Sequence, residues 1–215
     1  MMRKVEPEWL DGLCPEDRLA LENRADLRHL NRVAGTVAWF EAAMEQVGRV
    51  GEPWLEVGAG DGELALALRR QGWKVDGLDV VEAAGGWPKE AKWYRQPVED
   101  FRGWDDYHGM MVNLLLHQLT DEALGRLGQR LMEGGVRAVV AQEPWRSAWA
   151  QGMFLLASSL LGMGEVSRHD GWVSIGGGFD GEELPGLLGL EREVWEWRVE
   201  LSRLGWYRLV AWRKA

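Results

Sequence analysis

From residue 53 to residue 213, short apolar runs of strand length alternate with stretches in which apolar residues recur at helical spacing. The runs predict strands over residues 53–57, 73–79, 91–95, 107–114, 136–142, 190–199 and 205–213. The stretches between them predict helices over 62–71, 82–87, 120–132, 146–163 and 181–188. Such alternation builds a parallel sheet covered by helices, because each parallel crossover needs a helix-length connection. The last two strands are joined only through Leu201 to Gly205, which predicts an antiparallel hairpin. Upstream, Leu27, Leu30, Val33, Val37, Phe40 and Met44 keep helical spacing within residues 15–49. Pro15, Glu16 and Asp17 suit a helix start, and Gly48, Gly51 and Pro53 end the region. The expected fold class is α/β, with a seven-stranded, mostly parallel sheet, an antiparallel C-terminal hairpin and an N-terminal helical cap. The cap is expected over residues 1–50 and the nucleotide-type domain over 51–215.

The chemistry concentrates where the first strand meets its helix. Residues Leu55 to Leu68 read LEVGAGDGELALAL: a strand carrying Glu56, three alternate glycines, a second acid at Asp61 and a run of helix formers. Glycines permit a sharp turn at Gly58 to Gly62, and the helix beyond presents unpaired N–H groups to a ligand. The pyrophosphate fingerprint GxGxxG would need a third glycine at position 63, which is Glu63. Carboxylates at Asp61 and Glu63 repel a pyrophosphate and favour a ligand with an amino group, a sulfonium and ribose hydroxyls. S-adenosylmethionine (SAM) is such a ligand. In an open α/β sheet the ligand crevice lies at the carboxyl ends of the strands. That rule gathers Gly58 to Gly62, Asp79, Asn113 to Gln118 and Glu143 to Arg146 around one hollow.

Composition narrows the partners. With 25 basic and 34 acidic side chains the net charge is −9, and no Lys/Arg run exceeds two residues, which argues against nucleic acid and against a polybasic membrane patch. One cysteine, Cys14, allows no internal disulfide, and the four scattered histidines assemble no zinc spacing, so no metal is expected. A cytoplasmic location and possible homodimer are expected, and MMRKVEPEWLDGL carries too many charges for a secretory signal. The uncharged 18-residue stretch from Ser147 to Gly164 sits at the lower limit for a spanning helix. Its glycines and polar residues favour a buried or pocket-lining helix instead, and the wall of a hydrophobic substrate site also fits. The 14 tryptophans are read mainly as packing, since Trp195 and Trp197, and Trp206 and Trp212, share strand faces by period two.

Over residues 53 to 213 the sequence resembles the class I SAM-dependent methyltransferases, with LEVGAGDGE as the specific match. The resemblance implies a Rossmann-like fold, SAM as methyl donor with S-adenosylhomocysteine (SAH) as product, and a cofactor site of Glu56, Gly58, Ala59, Gly60, Asp61, Asp79, Val80, Val98, Glu99, Asn113 and Leu114. Asp79, 21 residues after Gly58 at the end of the second strand, is expected to bind the ribose hydroxyls, because a carboxylate accepts two hydrogen bonds side by side. Glu56 is expected to support the loop and meet the SAM amino group. In YRQPVEDF, residues 94–101, Pro97 replaces the aspartate that often contacts adenine, leaving the backbone around Val98 or Glu99 as substitute. MMVNLLLHQLTDEAL, residues 110–124, resembles the fourth-strand motif that passes under the sulfonium. RADLRHLNRVAG, residues 24–35, and SRHDGWVSIGGGFDGEEL, residues 167–184, resemble small methyltransferases likened to quinone-biosynthesis C-methyltransferases.

On that resemblance the expected activity is methyl transfer to oxygen or carbon of a small aromatic or polyketide-like molecule. His117 and His169 are the expected bases, because histidine titrates near neutral pH. Asp170 could orient His169, and Arg168 could bind an anionic group. A polar turn ended by Gly171 is the alternative for that segment. Arg28 and Asn31 in the cap, with Glu143 and Arg146 from QEPWR, residues 142–146, are the remaining expected substrate contacts. A solvated face is the alternative for the cap residues, and a SAM-binding regulatory protein or another SAM-using transferase is the alternative for the whole.

Overall fold

The computed structural model describes residues 1–14, 16–83 and 85–214, so Pro15, expected at a helix start, and Ala84 lie outside the described residues. The seven strands are β1 (Pro53–Val57), β2 (Lys74–Asp79), β3 (Trp93–Arg95), β4 (Gly109–Asn113), β5 (Ala138–Pro144), β6 (Trp195–Leu201) and β7 (Trp206–Arg213). They form one sheet in the order β3-β2-β1-β4-β5-β7-β6. β1 through β5 run parallel, while β7 is antiparallel to both β5 and β6, as the short Leu201 to Gly205 connection requires. The order reverses between β1 and β4, which opens a crevice at their carboxyl ends.

The helices are α1 (Arg18–Val33), α2 (Thr36–Val47), α3 (Glu63–Arg70), α4 (Asp121–Glu133), α5 (Ala148–Leu160), α6 (Glu165–Gly177) and α7 (Glu183–Leu187). Side-chain caps start several of them: Asp17 accepts the Leu19 N–H at α1, Thr120 that of Ala123 at α4, and Ser147 that of Ala150 at α5. One face of the sheet packs on α2 and α3 through Phe40, Met44, Leu64, Leu68, Trp54 and Val140. The other buries Leu127, Leu131, Leu184, Leu188, Trp195 and Tyr207 in a larger core.

The helical cap consists of two helices, α1 and α2, divided at Gly35 in a left-handed conformation with φ 64°. Two other readings are corrected. Residues 82–87 are not helical where described, and the Trp87 ring instead lies within 2.5 Å of where a Gly62 Cβ would stand. The polar turn given as the alternative around Gly171 is the interior of α6, where glycine lets the Phe154 ring of α5 lie 2.1 Å from an added Cβ position. The uncharged stretch gives α5, and no described helix is long and apolar enough to cross a membrane.

Ahead of α1, residues 3–10 form a strap laid across α6. The Arg3 guanidinium donates to the carbonyls of Gly177 (2.8 Å) and Leu119 (2.7 Å), and Lys4 N–H to Gly176 (3.0 Å). The Asp170 carboxylate accepts the backbone N–H groups of Trp9 (2.8 Å) and Leu10 (3.0 Å).

Candidate active site

Gly58, Gly60 and Gly62 all have positive φ, at 71°, 59° and 80°. Gly58 is additionally close-packed, since a Cβ there would lie 2.9 Å from Leu115, whereas the corresponding space beside Gly60 is open. The turn is tied to β2 by Gly58 N–H to the Leu78 carbonyl at 2.9 Å. Asp79 holds it from the side: one carboxylate oxygen accepts the Gly60 N–H at 2.7 Å and the other the Val81 N–H at 3.1 Å. Each oxygen keeps a second lone pair for a ligand hydroxyl.

Glu56 is 3% exposed and lies beneath the turn, where it accepts the Ala65 N–H at 2.9 Å. Burial, with smaller contributions from Asp79 and Asp61, pushes its carboxyl up to about 8. A raised acid contributes stability that is fully present below its ordinary 4.5 and is lost as pH rises through about 8. Glu56→Gln, which keeps an acceptor for Ala65 and cannot ionise, is therefore expected to melt higher than wild type at pH 8 by roughly 10 °C. The advantage should vanish near pH 5. Melting curves from pH 5 to 9 check this, and parallel curves for the two proteins would refute it.

β4 is followed by Leu114, whose φ of 62° is the one positive value at a non-glycine residue among the described residues. This turn delivers the next three N–H groups to one acceptor. Glu143, fully buried on β5, accepts from Leu115 (3.1 Å), Leu116 (2.8 Å) and His117 (3.3 Å), and also contacts His117 Nδ1 at 2.7 Å. The opposite nitrogen, His117 Nε2, faces Glu8 of the strap at 3.2 Å. Burial alone would lower the His117 pKa, but the hydrogen bonds and charges of Glu143 and Glu8 outweigh it and lift it to about 9. Burial would raise Glu8, and the His117, Ser174 and Gln118 contacts reverse that and leave it lowered.

Between α1, α5 and α6 lies a cavity of about 140 Å³, reaching from Leu114 to Trp206. Its walls are mostly apolar and include Leu27, Leu30, Met153 and Phe154, so the uncharged α5 stretch does line a pocket. Glu8, Asn23, Ser167, Asp170 and Ser174 supply its polar side chains.

The expected site residues divide accordingly. Gly58, Ala59, Gly60, Asp61, Asp79 and Val80 cluster at the turn, with Asn113 and Leu114 across the crevice, while Val98 and Glu99 sit in a single turn after β3. Arg28 meets Asp61 (3.3 Å) and Glu63 (3.6 Å), which puts it over the glycine turn and not at the substrate cavity. Asn31 joins a polar network with Thr36 (3.2 Å), Asn113 (3.4 Å) and, through them, Gln142.

Other expected residues are engaged by protein partners. The Glu143 oxygens accept from the 115–117 backbone and contact His117. Arg146 is buried against the Gly178 carbonyl and pairs with Glu183. Exposed Arg168 lies outside the cavity lining. A base at His117 lacks a free nitrogen. His169 stacks on Trp9 at 3.8 Å and bonds Asp170 at 2.9 Å, which makes it a fastener of the strap; Asp170 lines the cavity with its oxygens spent on strap N–H groups. Glu8, Asn23 and Ser174 were not legible as site residues: Glu8 lies in an aperiodic segment 109 residues from His117.

Neither a protein-family model nor a curated protein sequence matches the chain. Solved structures do, and they define the class of fold: the Rossmann-like fold of the class I methyltransferases. The plantazolicin methyltransferase BpumL in complex with SAH superposes with a TM-score of 0.70 at 10% identity, covering 92% of this chain and 90% of that one. Human N-acetylserotonin methyltransferase with SAM gives 0.61 at 12% identity, over 95% of this chain and 61% of that one. Magnesium protoporphyrin IX methyltransferase from Synechocystis PCC 6803 with bound SAM gives 0.54 at 14% identity, over 96% and 88%.

Proposed function

We propose that the chain is a SAM-dependent methyltransferase acting on a small, largely apolar molecule. The observation that carries this reading is a glycine turn, flanked by Asp79, at the point where the strand order reverses, with Leu115 packed on Gly58 and its neighbour Leu114 lining an apolar cavity. The residues fit SAM: space beside Gly60 is free for backbone approach, Asp79 has lone pairs for a ribose diol, and Asp61 and Glu63, two acids on the single cation Arg28, leave the turn net negative toward a cation. Methyltransferases of the same fold, crystallised with SAM or SAH, support it.

In this reading Gly58, Ala59, Gly60 and Asp61 cradle the methionine end, Asp79 and Val80 the ribose, and Val98 and Glu99 the adenine edge. Asn113 and Leu114 form the floor between cofactor and acceptor. SAM, when bound, supplies a methyl group already activated by the sulfonium, so the protein's task is alignment and exclusion of water. α1, α5 and α6 do the second by roofing the cavity. Titration calorimetry with SAH tests the proposal: saturable one-to-one binding that NAD does not displace is expected. No SAH binding, or displacement by NAD, would overturn it.

A further inference from the structure

The cavity carries acceptors that its ligand must answer. Among the described residues its lining includes two carboxylates, Glu8 and Asp170, and no Lys, Arg or His. Asp170 is held by the strap, one oxygen accepting the Trp9 N–H and contacting His169 and the other accepting the Leu10 N–H. Glu8 is held by side chains in the same proportion. Its side chain is 9% exposed, held by His117 Nε2 and Ser174 on one oxygen and by Gln118 at 3.1 Å on the other, which leaves that second oxygen able to accept again.

A second and independent feature points the same way. Asn23 of α1 is 2% exposed, lines the same cavity, and its side-chain oxygen is buried with no hydrogen-bond partner. Buried polar atoms are nearly always paired, so an unpaired acceptor in a ligand-sized hollow calls for a donor from the ligand. Spare acceptors on Glu8 and Asn23, set in apolar walls and with His117 already offset by two carboxylates, Glu8 and Glu143, describe a site for a cationic nitrogen. An engineered apolar cavity of about 150 Å³ takes up a benzene ring. The apolar body that fits here is of that order, since the cavity measures about 140 Å³.

We propose that the cavity binds a small hydrophobic amine, its nitrogen donating to Glu8 and to the Asn23 side-chain oxygen. The catalytic consequence rests on the methyltransferase reading above, and makes nitrogen the methylated atom in place of the expected oxygen or carbon. A neutral amine forms the N–C bond with its own lone pair while the C–S bond breaks with its pair left on sulfur, so positive charge passes from sulfur to nitrogen beside Glu8. The carboxylate stabilises charge that develops there, and the proton leaves with the product. His117, flanked by two carboxylates, is already protonated near neutral pH, and Glu8 is a weakened base, so the ammonium gives its proton to water and the neutral amine is the form that reacts.

Three probes of one shape test the site by calorimetry at pH 7.5, with and without SAH: 2-phenylethylamine, 2-phenylethanol and phenylacetate. The amine is expected to bind at least about tenfold more tightly than the alcohol, with phenylacetate weakest. Glu8→Gln keeps the shape of the strap contact and should bring the amine down to the level of the alcohol while leaving alcohol binding unchanged. Equal binding of the three, no amine binding at millimolar concentration, or an amine preference that survives Glu8→Gln would each overturn the proposal. The wild-type comparison stands even if the variant fails to fold. SAH titrated into the same samples separates the two readings: an amine preference without SAH binding sinks methyl transfer and leaves the amine site, and SAH binding without amine preference does the reverse.

Discussion

Replacing Asp79 by alanine is expected to weaken SAH binding by a hundredfold or more, the largest affinity loss from a single side chain in this protein. Two contributions add. A carboxylate that accepts both hydroxyls of a ribose makes two charge-assisted hydrogen bonds, each worth about 1.5–3 kcal/mol. The same carboxylate holds the Gly60 N–H at 2.7 Å and the Val81 N–H at 3.1 Å, so its removal also frees the turn that the cofactor needs in place. Asp79→Asn separates these contributions. The amide keeps one acceptor oxygen for the turn and loses the charge and the paired acceptance, so a loss nearer tenfold is expected. Calorimetry with SAH measures both, and the melting temperature of each ligand-free variant shows whether the sheet is intact. If Asp79→Ala binds SAH within threefold of wild type while melting normally, the ribose does not sit at Asp79.

The parts of this architecture that were legible in the sequence are those whose causes are local. Seven apolar runs of strand length and the alternate glycines predict the sheet and its first turn, because period-two burial and positive φ leave marks within a few residues. α6 left no such mark. Its sequence EVSRHDGWVSIGG is poor in helix formers and carries three glycines, and it is held as a helix by packing against α5 at Gly171 and by the strap at Asp170. Tertiary contact overrode propensity there. The strap itself has no periodicity, and its partners lie more than 100 residues away. His117 and Glu143 were both singled out, each for a role toward substrate, yet their main partner is one another at 2.7 Å. Sequence spacing cannot show that two polar residues on adjacent strand ends satisfy each other instead of a ligand. Glu8 was invisible for the complementary reason, since a lone acid near a chain end acquires meaning only from what it is folded against.

Glu143→Ala is expected to cost the fold more than any other single change at the site, on the order of 3–5 kcal/mol, because it strips one buried partner from four donors at once. The N–H groups of Leu115, Leu116 and His117 would be left unpaired beneath the β4 turn, along with the His117 ring nitrogen. For a chain of 215 residues, that corresponds to a fall in melting temperature of roughly 10 °C or more. The variant should also change the pH dependence. In the wild-type protein a histidine raised to about 9 contributes stability that is complete below its ordinary 6.5 and is lost as pH rises through 9. Without Glu143 the remaining partner is Glu8, so the pKa of His117 falls and the alkaline loss attributable to it shrinks. Glu143→Gln should lie between, since an amide oxygen still accepts from the 115–117 backbone but cannot offset an imidazolium. Denaturant midpoints at pH 6, 7.5 and 9 read both effects. A Glu143→Ala protein as stable as wild type, or one whose stability falls as steeply between pH 6 and 9, would mean that the post-β4 turn is held by something other than this buried carboxylate, and the placement of Glu8 through His117 would go with it.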